Sequence, residues 1–167
     1  MADHQHLENP SEWVVRWAPR VERGPVLDLA CGGGRHSKFF HDLGFDVVAV
    51  DRERADLEGI RSVQADLENG GPWPLGEERF GAIVVTNYLH RPLFPHILAA
   101  LAPRAVLIYE TFMAGNERFG RPSNPQFLLK PGELREAFAE LEELGFEEGE
   151  VERPKRAVIQ RICALKR

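Results

Sequence analysis

No apolar run in this 167-residue chain approaches the roughly 18 residues that a membrane-spanning helix requires. The first residues, Met-Ala-Asp-His-Gln-His, lack the basic-then-apolar pattern of an export signal, so a cytoplasmic protein is the expectation. There are only two cysteines, Cys31 and Cys163, and both fall in segments that read as core. That excludes a disulfide framework and predicts reduced, buried thiols. A basic excess is also missing: 21 Lys and Arg against 26 Asp and Glu give a net charge of −5, which argues against a nucleic-acid partner without excluding a local basic patch. His4 and His6 have no companions at metal-ligand spacing, so no metal is expected. Repeats and low-complexity tracts are absent. What is present is an ordinary globular composition, 43% hydrophobic and 28% charged, in a chain long enough for one domain with its own core. Residues 1–20 read as a polar, mobile tail (to about residue 9) and a covering helix, and residues 21–167 as the domain.

Along that domain, apolar runs and helical stripes alternate. Trp13, Val14 and Trp17 sit at helical spacing within Ser11–Arg20. Val26–Leu29 is a buried strand leading into a glycine turn, and Arg35–Leu43 is a helix predicted to bury Phe39, Phe40 and Leu43, with Gly44 at its end. Val47–Val50, Ser62–Ala65, Ala82–Thr86 and Ala105–Tyr109 read as further strands. Pro95–Leu101 reads as a helix, and Pro103 stops it. Such alternation calls for a parallel sheet covered on both faces. Phe112–Lys130 lacks periodicity and is long enough to suggest a functional loop. The stripe Leu134, Phe138, Leu141 and Leu144 predicts a helix that begins at Pro131 and ends at Gly145. Two strands follow, around Glu148–Glu152 and Ala157–Leu165, and the few residues between them force an antiparallel hairpin.

The chemistry is carried by Val26-Leu-Asp-Leu-Ala-Cys-Gly-Gly-Gly-Arg-His-Ser37. Glycines at 32, 33 and 34 let backbone approach a ligand closely and adopt positive φ. Asp51 ends the second strand, where a carboxylate can accept both hydroxyls of a ribose, and Asp66 ends the third, beside where an adenine ring would lie. Three carboxylates, Asp28, Asp51 and Asp66, around one crevice favour a nucleoside whose reactive end is neutral or positive over a di- or triphosphate. A Walker loop is excluded, because no Gly-Lys-Ser/Thr follows the glycines, and the nicotinamide pattern Gly-x-Gly-x-x-Gly is only a near miss.

These residues resemble the first motif of class I S-adenosylmethionine-dependent methyltransferases. The similarity continues through Asp51 with Arg52, Asp66-Leu67, Asn87-Tyr-Leu-His-Arg91 and Tyr109-Glu-Thr-Phe112, over roughly residues 24 to 167. Within that class the chain is similar to small bacterial enzymes grouped with tellurite resistance. The resemblance implies a Rossmann-like α/β fold: seven strands, mostly parallel, an antiparallel C-terminal hairpin and helices on both faces. It implies S-adenosylmethionine as cofactor, held by Asp28, Ala30, Gly32, Gly34, Asp51, Arg52, Asp66, Leu67 and Asn87. Ala30 replaces the motif's first glycine, tolerable if its φ stays negative.

The expected activity is methyl transfer to a small-molecule acceptor, since no separate recognition domain is evident. An acceptor alcohol or amine would need a base. His90, just past the fourth strand, is the candidate, with Tyr88 two residues before it as a second catalytic candidate, or His90 simply caps the next helix. Tyr88 and Tyr109 wall the acceptor pocket or pack in the core. Glu110 holds an acceptor amine or pairs with an arginine, and Cys31 packs inward. Arg118, Arg121 and Lys130 clamp an anionic acceptor, or belong to a solvated loop. Two other readings stay open: an NAD-dependent oxidoreductase, and a non-catalytic nucleoside-binding module.

Overall fold

The computed structural model describes residues 9–167. The expected mobile tail, with His4 and His6, therefore lies outside the described residues except for Asn9. The elements in chain order are α1 Glu12–Trp17, β1 Val26–Leu29, α2 Arg35–Asp42, β2 Val47–Asp51, β3 Arg61–Gln64, β4 Phe80–Thr86, α3 Phe94–Ala100, β5 Leu101–Phe112, α4 Glu133–Ala137, β6 Glu142–Val151 and β7 Ala157–Leu165. They form one seven-stranded sheet in the order β3-β2-β1-β4-β5-β7-β6. β3, β2, β1, β4 and β5 are parallel, while β7 runs antiparallel to both β5 and β6. The sequence-based expectation of a mostly parallel sheet with a terminal antiparallel hairpin holds. No helix among the described residues is long and apolar enough to cross a membrane.

The central strands are buried on both faces because each face has its own apolar layer. Leu27 and Leu29 of β1 point into a cluster with Ile97 of α3 and Leu134 of α4, whereas Val26 joins Trp13 of α1 and Phe40 of α2 on the other side. Period-two alternation thus sends Asp28 to the α1/α2 face, beneath α2. In α2 the inward phase is His36, Ser37 and Phe40. This displaces two residues predicted to be buried there: Phe39 is half-exposed and Leu43, at the C-cap, is 55% exposed.

The predicted helix from Pro131 to Gly145 is the main correction. α4 stops at Ala137, and Glu142 already pairs with Leu165 as the start of β6. The stripe Leu134–Phe138–Leu141–Leu144 fits helical spacing, but a ladder with β7 wins over local preference. A bulge between Glu143 and Gly145 breaks the period-two alternation, so residues two apart point to different faces. Leu144 packs with the Trp13 cluster and Phe146 with the Phe138 cluster. Gly145 is needed there: a Cβ would lie 2.3 Å from the Trp17 ring.

The loop after β5 is pinned rather than free. Asn116 is buried; its Oδ1 accepts from the Val158 amide (3.0 Å) and its Nδ2 donates to the Pro122 carbonyl (3.0 Å). Gln160 of β7 holds the start of α4, accepting from the Leu134 amide and donating to the Lys130 carbonyl.

Candidate functional site

All three predicted carboxylates lie at the carboxyl end of the sheet, on neighbouring strands or just past them. The turn after β1 folds back so that the Cys31 amide donates to the Val50 carbonyl (2.9 Å), while the Ala65 amide donates to that of Asp51 (3.0 Å). Asp51 is half-exposed; its Oδ1 accepts from the Gly32 amide (3.3 Å) and its Oδ2 from the Glu53 amide (3.1 Å). Asp66 is exposed and, among the described residues, accepts only from the Glu68 amide (2.9 Å). A Cβ at Gly32 or Gly33 would meet nothing within 4 Å, so the turn presents bare backbone to an open crevice. Gly34 caps α2 at φ +86°, where a Cβ would meet Leu57 at 2.5 Å. Arg52 is exposed and Leu67 half-buried against the core.

Asp28 differs from the other two. It is buried, and its Oδ2 accepts a 2.6 Å hydrogen bond from the Ser37 hydroxyl. Burial raises its pKa from 3.8 to about 6, against the opposing effect of the Ser37 hydrogen bonds. It ties β1 to α2 and so fixes the turn from beneath. Ala30 is a correction: its φ is +56°, not negative, because the chain must reverse at once to place Cys31 against β2. Cys31 packs inward as expected, its thiol pushed up to about 12 by burial.

Next to this crevice lies a cavity of about 450 Å³ over the ends of β4, β5 and β7. Arg35, directly after the glycines, and Asn87, past β4, face it from the crevice side. Asn87 holds φ +55°, and its amide donates to the Glu110 carbonyl (2.9 Å). Phe112, Phe119 and Ile159 supply apolar wall, and the entry to α1 and the β6–β7 connection close the sides.

The roof is latched by a polar network of which the sequence reading held only one piece, the pairing of Glu110 with an arginine. The Ser11 hydroxyl donates to Glu110 Oε1 (2.9 Å), and the Ser11 amide donates to His36 Nε2 (3.0 Å). His36 Nε2 is therefore the acceptor, which leaves the proton on Nδ1, facing Thr86 Oγ1 at 3.4 Å. Burial, with Arg35 nearby, lowers the His36 pKa to about 3, so the ring is neutral. Glu110 Oε2 also sits 2.8 Å from Arg161 Nε, poorly aligned as a hydrogen bond, and Arg161 lies over the Trp13 ring of α1. A charged residue inside the apolar run of β7 was the available sequence signal for Arg161. Helical phase with Ser37 and Phe40 was the signal for His36.

Other predicted residues fall elsewhere. His90 is half-buried with Nδ1 3.7 Å from Glu68, and neither it nor Tyr88 lines the cavity. Burial pushes the Tyr88 phenol well above its ordinary range, and the carboxylates of Glu68, Asp66 and Asp51 add to the effect, which places the phenol on the carboxylate side. Tyr109 does not line the cavity and packs in the core instead. It is buried between Phe94 and Phe138 and donates to the Tyr88 carbonyl (2.8 Å). Arg118 is taken up by the Gly115 carbonyl and the Phe119 ring. Lys130 does not line the cavity, whereas Arg121 does.

A sheet with β7 inserted antiparallel between β5 and β6, and a glycine turn after β1, defines the class I methyltransferase fold, and solved structures agree. TehB from Haemophilus influenzae superposes with a TM-score of 0.76 at 20% identity over 95% of this chain, which spans 63% of that protein's length. The 1,6-didemethyltoxoflavin-N1-methyltransferase of Burkholderia thailandensis, solved with 1,6-didemethyltoxoflavin and S-adenosylhomocysteine, gives 0.70 at 20% identity, covering 99% of this chain and 80% of that one. An S-adenosylmethionine-dependent methyltransferase from Mesorhizobium loti gives 0.66 at 19%, covering 96% and 100%. Residues 6–70, from before α1 to just past Asp66, match the family model for tellurite resistance protein TehB. No curated protein matches the chain in sequence. The chain thus resembles class I methyltransferases of the tellurite-resistance kind.

Proposed function

We propose that the chain is an S-adenosylmethionine-dependent methyltransferase whose small-molecule acceptor enters the cavity beside Asn87 and Glu110. The observation that carries this reading is the junction of the two spaces. An open crevice edged by bare glycine backbone, Asp51 and Asp66 meets a deeper, partly apolar cavity at Arg35 and Asn87. The residues present fit the nucleoside: Asp51 has acceptor capacity for ribose hydroxyls and Asp66 for an exocyclic amine, while Leu67 offers an apolar face to a base. Gly32 and Gly33 let backbone come close, Gly34 shapes the turn by making room for Leu57, and Asn87 offers its side-chain amide to the methionine part. Arg52, exposed after Asp51, edges the crevice. Asp28 and Ala30 act beneath the turn, setting its shape. Nothing in the comparisons favours the nicotinamide reading.

When bound, the cofactor supplies a methyl group already activated on a sulfonium. What the chain must add is alignment and exclusion of water. Trp13 and the Ser11 latch hold the roof over the cavity, and Glu110, buried against Arg161, fixes its floor. His90 and Tyr88, beside Glu68, are assigned to the wall of the nucleoside crevice rather than to proton transfer.

Titration calorimetry with S-adenosylhomocysteine tests the proposal. Binding is expected, and Asp51→Ala is expected to weaken it by about 1–3 kcal/mol, the worth of hydrogen bonds to a charged acceptor. No heat at millimolar ligand rejects the reading, and unaltered affinity in the variant removes Asp51 from the site.

A further inference from the structure

The walls of the cavity carry six cationic side chains against two carboxylates, in a protein whose net charge is −5. Half of those cations have other work. Arg161 lies against Glu110 and Glu147, Arg156 bonds Glu150 at 2.7 Å, and Arg35 donates to the Asn9 carbonyl. The other three, Arg121, Arg153 and Lys155, have no carboxylate within 4.0 Å among the described residues. They reach the same space from separate pieces of chain: Arg121 from the loop after β5, Arg153 and Lys155 from the β6–β7 connection. Below them the walls are apolar, with Phe112, Phe119, Val151 and Ile159. The volume, about 450 Å³, is that of a small-ligand site, within the usual range of roughly 300–1,000 Å³.

We infer that the acceptor is an organic anion, an apolar body carrying a carboxylate, seated with its body against Phe112, Phe119 and Ile159 and its charge on Arg121, Arg153 and Lys155. The inference rests on the methyl-transfer reading only in calling this ligand the acceptor. A polymer such as nucleic acid is disfavoured, because the cations gather at one concave hollow rather than along a track across the surface of a protein whose net charge is −5. An inorganic oxyanion would use the cations and leave the apolar wall unfilled. Arg121, Arg153 and Lys155 are exposed and have no carboxylate partner among the described residues, so an anionic group on the ligand gains from all three where an uncharged one gains from none.

The test compares acids with their neutral amides by calorimetry: 1-naphthoate with 1-naphthamide, indole-3-acetate with indole-3-acetamide, and decanoate with decanamide, with inorganic phosphate beside them. At least one acid is expected to bind about tenfold or more tightly than its amide. The triple variant Arg121→Gln, Arg153→Gln, Lys155→Gln is expected to erase that margin while its affinity for S-adenosylhomocysteine stays that of the parent, which also shows it is folded. No binding by any acid, equal binding of acid and amide in every pair, or a margin that survives the triple variant overturns the inference. Phosphate binding as tightly as the best acid overturns the apolar-body half of it. Retained acid selectivity in a parent protein that ignores S-adenosylhomocysteine supports the anion site and rejects the methyl-transfer reading instead, so the two failures are distinguishable.

Discussion

Replacing Asp28 by asparagine should make stability respond to pH in a way that isolates one buried carboxyl group. Asp28 has its pKa raised from 3.8 to about 6 by burial. Between those values the folded state holds a proton that the unfolded state has released, so stability is fully present below pH 3.8 and is lost as the pH rises through 6. Each pH unit of that gap is worth about 1.4 kcal/mol, which makes the cost about 3 kcal/mol at neutral pH, of which about 2 kcal/mol falls between about pH 4.5 and 7.5. The substituted amide cannot ionise, and its oxygen can still accept from the Ser37 hydroxyl. Its surplus N–H donors shift absolute stability by an amount that does not vary with pH. The readout is therefore the difference in unfolding free energy, variant minus parent, from urea titrations at several pH values. That difference should climb by about 2 kcal/mol in favour of Asp28→Asn from about pH 4.5 to 7.5. A flat difference would mean that Asp28 is ionised with little cost, and the account of a desolvated carboxyl beneath the turn would be wrong.

His36 has the opposite sign. Its pKa falls from 6.5 to about 3 on folding, so the unfolded chain takes up a proton below pH 6.5 and stability is lost as the pH falls toward 3. His36→Gln should flatten that acid loss, and tryptophan fluorescence, to which Trp13 and Trp17 on α1 contribute two of the three tryptophans, should show the parent roof loosening first when read in a Trp73→Phe background; a parent whose fluorescence holds to about pH 4 refutes the latch. Ala30→Gly relieves a left-handed alanine, worth about 1–2 kcal/mol, but adds unfolded-state freedom of about 0.4–1 kcal/mol. A net gain of about 0.5–1 kcal/mol, or a rise of about 2 °C in Tm by calorimetry, is expected, and a loss would contradict the φ of +56°. His90→Asn should leave turnover on the true acceptor and its pH profile unaltered, because His90 faces Glu68 and not the cavity; a lost limb of the profile would restore it as a base.

The fold was legible where the chain repeats a simple rule. Val47–Val50 is apolar on both faces, as are Val26–Leu29 but for Asp28 and Ala82–Thr86 but for its last residue, which only a sheet covered twice explains, and the short Arg153–Arg156 link left no choice but a hairpin. The nucleoside side was legible for the same reason: Asp51 ends β2, Asp66 lies two residues past the end of β3, and adjacent parallel strands bring such ends together. The α4–β6 region was not, since Leu134, Phe138, Leu141 and Leu144 satisfy helical spacing and only pairing with Leu165 reveals the strand. The acceptor side was legible only in part. Arg121 was found in the long loop, but Arg153 and Lys155 looked like a mere connection, because nothing local says that β6 and β7 end beside β5. Asp28 was seen as a ligand-facing carboxylate, and pleat direction beneath α2 is what turns it inward.

The costs in this fold gather where the two spaces meet. Two of the three non-glycine residues with positive φ, Ala30 and Asn87, stand at the carboxyl ends of β1 and β4, and the third, Arg104, lies at the other end of the sheet beside Pro103. Asp28, His36 and the Glu110–Arg161 pair, the buried ionisable groups of the site, lie at that same carboxyl end. Hydrophobic replacements of matching size would serve stability better than a buried ion pair, since desolvation consumes most of what the pair gains. A core chosen for stability alone would not assemble a buried carboxyl, a neutral imidazole and an ion pair around one junction. Their arrangement is accounted for if the turn, the roof and the floor must each hold one geometry against a bound ligand, because polar networks fix direction where apolar packing only fixes distance. The requirement for direction is greatest in a reaction that depends on in-line approach to a methyl group, and it is the junction at Arg35, Asn87 and Glu110 where such a line would have to pass.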